Sequence, residues 1–73
     1  MTVRLSEKNI KGLKDLLYCT DAEIREAEEA CDPSDISMHL FLESDLPVYA
    51  YYFFFPKHKA VVAIPCSECR TED

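Results

Sequence analysis

Seventy-three residues, 48% of them apolar and 11% aromatic, describe a folded chain rather than a disordered one. They leave room for one domain, with a core limited to about 60–65% of the unfolded surface. Fourteen acids against eight bases give a net charge of −6, the opposite of what phosphate contact requires, so direct nucleic-acid binding is not expected and basic surfaces are the natural partners. The single glycine, Gly12, excludes a P-loop, a dinucleotide fingerprint and other glycine-built phosphate cradles. The first residues carry no apolar run of the signal-peptide kind, which points to the cytoplasm. The longest uncharged run, residues 46–56, is 11 residues, against about 20 for a spanning helix, so no membrane role is expected.

In chain order, the first predicted element is a helix capped by Ser6, with Ile10, Leu13, Leu16 and Leu17 at helical spacing. A second helix opens at "TDAE", where Thr20 and Glu23 have the spacing of a capping box and Asp21 and Glu23 suit the positive helix end. Ile24, Ala27 and Cys31 give it a narrow apolar stripe. Pro33 ends it, because the preceding residue is biased out of helical geometry.

Strands follow. "ISMHLFLE" alternates, "SDLP" is a turn, "VYAYYFFF" is a second strand, "PKHK" a second turn and "AVVAIP" a third strand. The predicted fold is α+β, with two N-terminal helices on one face of a three-stranded antiparallel meander (ααβββ). It forms a single domain over residues 1–73, with 67–73 as a mobile tail.

Turn length sets which face of the aromatic strand is inside. A four-residue loop at residues 44–47 opposes Leu42 to Tyr49, Leu40 to Tyr51 and Met38 to Phe53. A loop at residues 56–59 opposes Phe53 to Val62 and Tyr51 to Ile64. A three-residue first loop would reverse the parity, but it usually needs a glycine that this stretch lacks. The expected core face is therefore Ile36, Met38, Leu40, Leu42, Tyr49, Tyr51, Phe53, Phe55, Val62 and Ile64. The opposite face carries Phe41, Tyr52, Phe54 and Val61 beside His39 and Ala63. Two short helices cannot cover both sides, and a contiguous apolar patch on a small protein marks an interface. Its cover is a partner protein, a second copy forming a homodimer, or the N-terminal segment with Val3 and Leu5.

Cys66 and Cys69 have C-x-x-C spacing, half of a zinc site or a redox pair. Cys19 and Cys31 cannot complete one site together, since they flank the second helix about 17 Å apart. Without a secretory signal, free thiols or a metal are favoured over disulfides. No metal ligand set, cofactor site or catalytic group is assigned. His58 sits in a turn, and no nucleophile accompanies His39.

Charge is more informative. Residues 21–35 hold seven acids against Arg25 alone, whereas the first helix carries Lys8, Lys11 and Lys14. Either this is a solvated helix surface, or Glu23, Glu26, Glu28, Glu29 and Asp32 form an acidic ridge that engages a basic surface. The extreme form of the second case is nucleic-acid mimicry. The expected function is a small, acidic, non-enzymatic binding protein, an inhibitor or modulator of a protein with a basic or aromatic-accepting surface. In size and acidity the chain is similar to phage-encoded inhibitor proteins. The alternative is a zinc-stabilised regulatory module built on Cys66 and Cys69.

Overall fold

The computed structural model describes residues 1–72. Its elements are β1 (Thr2–Leu5), α1 (Glu7–Leu17), α2 (Asp21–Ala30), β2 (Ser37–His39), β3 (Val48–Phe55), β4 (Ala60–Pro65) and β5 (Cys69–Glu72). Strands β2, β3 and β4 form one antiparallel sheet in that order, and β1 pairs antiparallel with β5 in a second. The α+β class is as expected, but the meander is only part of the strand content.

The helix ends follow local chemistry. Ser6 accepts from the Asn9 N–H at α1. Thr20 and Glu23 form both halves of the capping box at α2, at 3.2 and 3.0 Å. Helix α1 ends with Tyr18 in the left-handed region (φ 58°) and the Cys19 N–H donating to the Leu13 carbonyl at 3.4 Å. The Tyr18 N–H turns back to the same Leu13 carbonyl, so a left-handed residue closes the helix over that acceptor, and Leu13 and Cys19 are both buried there. Lys59 takes the other left-handed position, after the turn Pro56–His58.

The β3–β4 pairing has the expected register, with Phe53 opposite Val62 and Tyr51 opposite Ile64. Phe53, Phe55 and Ile64 are buried on the inner face, and Tyr51 and Val62 are partly buried. They meet Leu13, Ile24, Ala27 and Cys31 from the helix side. Each fully buried aromatic contributes about 1.5–3 kcal/mol.

Three expectations need correction. The β2–β3 register is displaced by four residues: Met38 faces Tyr49, not Phe53. Residues 40–47 form an eight-residue connection rather than a tight turn, because Phe41 turns back with Ser44 bonding its backbone. Parity survives, but Ile36, Met38, Leu40, Leu42 and Tyr49 are exposed instead of core. Next, residues 67–72 are not a free tail: a short 3-10 turn (Cys66–Glu68) leads into β5; Asp73 lies outside the described residues. Finally, the N-terminal segment does not lie over the outer sheet face. Val3 and Leu5 enter the inner core.

One carboxylate fixes that last arrangement. Glu28, on the buried face of α2, accepts the Leu5 N–H at 2.8 Å and pairs with Arg4 at 3.3 Å. Arg4 also meets Glu72, and Glu72 in turn reaches Arg70, which lies opposite Arg4 across the ribbon. Glu72 thereby relieves the repulsion of two facing cations.

Glu28→Ala leaves the buried Leu5 N–H without an acceptor and should cost about 1–3 kcal/mol. Glu28→Gln keeps an acceptor and loses only the partly exposed ion pair, for about 1 kcal/mol or less. Urea unfolding should rank the variants in that order. Tyr18→Gly should raise stability by up to about 1 kcal/mol, since the left-handed backbone suits glycine and the ring is 81% exposed. A loss of stability in the same assay would show that the ring packs.

Candidate partner interface

The outer sheet face is built by the alternation of β3 and β4. Tyr52 and Phe54 point away from the side on which Phe53 and Phe55 are buried. Phe54 lies directly opposite Val61 in the β3–β4 pairing. They are 55% and 64% exposed, an adjacent apolar pair in open solvent.

Beside them is a denser aromatic group. The His39 ring lies 4.7 Å from Phe41, tilted, and 6.4 Å from Tyr52, edge to face. Such offset and edge contacts are the favoured aromatic geometries. The Tyr52 hydroxyl also makes a hydrogen bond with Ser37 across β2 and β3. Phe41 and Tyr52 are consequently partly buried, while Phe54 and Val61 are not.

A groove of about 640 Å3 opens next to this group, with His39, Phe41, Val48, Lys8, Asn9 and Glu68 among its lining residues. Asn9 bridges Ser6 and Glu68 there, at 3.0 Å to each. The sequence does not announce the groove, because it depends on the long residue 40–47 connection and on the turn before β5.

The acidic residues divide. Glu26 and Glu29 are exposed on α2. Asp32 is exposed and accepts from the Ser34 N–H and hydroxyl at 2.9 and 2.7 Å, which holds its carboxyl below the ordinary range. Glu23 is largely enclosed in its capping box. The Thr20 N–H is the main cause of its lowered pKa. His58 Nε2 stands 2.9 Å from Glu23 Oε2, off the line of an aligned N–H donor, so this is a charge contact for a protonated ring. Glu28 is buried and already paired, which removes it from any exposed ridge. The continuous ridge expected from the sequence is therefore reduced to Glu26, Glu29 and Asp32. Neighbouring Asp21 is drawn to Lys14 at 2.6 Å, and that contact lowers its pKa.

All four cysteines are free thiols. Cys19 and Cys31 are buried; Cys66 and Cys69 flank the 3-10 turn and are partly buried. Burial raises each thiol, and Cys69 is pushed up to about 12, with Cys66 and Cys31 nearby adding to the effect. No group of three or more His, Cys, Asp or Glu side chains among the described residues is placed to hold a metal ion. No described helix is long and apolar enough to cross a membrane.

Raised thiol pKa values imply poor nucleophiles at neutral pH. Iodoacetamide at pH 7 should label the folded protein slowly, faster as pH rises, with Cys69 among the last. Intact mass spectrometry beside a urea-denatured control checks this. Rapid labelling of Cys69 in the folded state at pH 7 would contradict it.

No protein-family model, curated protein or solved structure matches the chain.

Proposed function

We propose that the chain is a small, acidic, non-enzymatic binding protein that occupies a surface on another protein and acts as an inhibitor or modulator. The observation that carries this reading is the opposed Phe54–Val61 pair, apolar and exposed on the face away from the helices. A solvent-facing apolar pair beside an ordered aromatic group suits the dry centre of an interface, with polar residues as its rim.

The contact set is Phe54 and Val61 at the centre with Tyr52 and Phe41 beside them; Glu26, Glu29 and Asp32, on the helix side of the sheet, act by long-range attraction of a basic partner rather than by contact with the same surface. The partner is a protein with a basic or aromatic-accepting surface. The negative charge speeds encounter with such a surface and disfavours nucleic acid. In this reading the protein works in the cytoplasm, and a phage-type inhibitor is consistent with its size and acidity.

The test is affinity capture from the native host, with quantitative mass spectrometry on wild type and the Phe54→Ser/Val61→Ser double variant. Surface changes of this kind should move stability by no more than about 0.5 kcal/mol each. The expected result is unchanged thermal unfolding with at least tenfold less of the main captured protein. Undiminished capture, or loss of cooperative unfolding, would overturn the reading. Sedimentation of both proteins separates a second copy from a foreign partner. A Glu26→Lys/Glu29→Lys variant reports whether the acidic flank contributes.

A further inference from the structure

The inner sheet face outruns its helices. Strand β3 has 8 residues and α2 has 10, which correspond to about 27 Å of strand and about 15 Å of helix. The helices cover Phe53 and Phe55. Past the end of α2 the same face continues as Met38 and Tyr49, opposed in register and 53% and 58% exposed. Ile36, two residues before Met38 on the same alternation, is exposed as well. This is an apolar shelf on the side of the sheet opposite Phe54 and Val61.

The chain segments on either side of it are acidic, and the one cation placed with them is Lys8, which shares a groove with Glu43. Residues 26–56 contain no Lys or Arg. Asp32 and Asp35 lie in the segment entering β2, Glu43 and Asp45 in the segment leaving it, and all four are exposed. Helix α2 ends beside this region with no basic residue in its last turn, so its carbonyl end adds to the negative potential.

We propose that this shelf docks a cationic amphipathic segment of a partner protein, its apolar side chains on Met38 and Tyr49 and its Lys or Arg side chains on the acidic rim. Charge selects this occupant. A second copy would bring two acidic rims face to face, and an anionic membrane or nucleic acid would be repelled. The shelf does not depend on the outer-face reading, because the two surfaces lie on opposite sides of the sheet.

The probe is a fluorescein-labelled peptide of Leu and Lys patterned as an amphipathic helix, with a Leu–Glu peptide of the same pattern as control. Anisotropy titration of the full chain should show saturable one-to-one binding of the Lys peptide only, weakening as salt rises. Met38→Ser/Tyr49→Ser should weaken it at least tenfold, and Asp35→Asn/Asp45→Asn should weaken it and flatten the salt dependence. Phe54→Ser/Val61→Ser should leave it unchanged. Wild-type affinity in the Met38/Tyr49 variant, or no saturable binding by wild type, overturns the proposal. A loss in the Phe54/Val61 variant moves the site to the outer face and overturns it too. So does a wild-type dimer in sedimentation that Met38→Ser/Tyr49→Ser dissolves. Should that variant fail to fold, Ile36 and Met38 methyl shifts in the wild-type chain decide: they must move on titration, and still methyls overturn the shelf.

Discussion

The arrangement of both chain ends depends on a carboxylate. Glu28 sits in the buried stripe of α2 and accepts the Leu5 N–H at 2.8 Å. A backbone donor so close to the core must find an acceptor, because leaving it unpaired costs about as much as several ordinary surface contacts provide. Satisfying it pins β1 to α2, which places Val3 and Leu5 in the core. Strand β1 in turn is the only described pairing partner of β5. The carboxylate is tolerable in its buried place because Arg4 is beside it, itself held by Glu72.

That residue also marks the limit of what the sequence makes legible. Ile24, Ala27 and Cys31 define a stripe at i, i+3 and i+7, and position 28 completes it at i+4. A glutamate there reads as surface charge by its type and as core by its position. Position governs the outcome, since β1 supplies the donor that makes burial affordable. Strand β1 has its own faint signal in "TVRL", where Val3 and Leu5 alternate with Thr2 and Arg4. Four residues are too few to distinguish a strand from a loop by periodicity alone.

The capping residues and the β3–β4 register are legible for the opposite reason. Each is decided within a few residues by chemistry that tertiary packing does not contradict: a hydroxyl and a carboxylate three apart, or a short turn with one geometry. The β2–β3 register is set by the longer segment of residues 40–47, whose path depends on Phe41 packing against His39, which itself meets Tyr52 edge to face. Period-two alternation fixes parity but not a displacement of four, so the outer aromatic group is readable while the core assignments of Met38 and Leu40 are not. The same displacement spoils the simple picture of one apolar face covered by two helices.

A short chain cannot hide all the apolar surface of an aromatic strand. Here the exposed remainder is divided between two sides of one sheet, and the charges distinguish them. The turn that joins β3 to β4, at the Phe54–Val61 end of the outer face, carries Lys57, His58 and Lys59, and Lys8 lines the groove near Phe41. The outer face thus has cations within reach as well as acids. The shelf at Met38 and Tyr49 lies wholly within a stretch that lacks them. Apolar area alone would make both surfaces equally adhesive to any partner, including another copy. The acids that flank the shelf in the chain, Asp32, Asp35 and Asp45 among them, disfavour self-pairing there, where the backbone edge of β2 is also shortest at three residues. The outer face lacks that protection, and on the proposed reading its selectivity would come from the shape of the aromatic group instead. Rigid rings already packed against one another lose little rotamer freedom on contact, so the ordered trio of His39, Phe41 and Tyr52 is suited to that role.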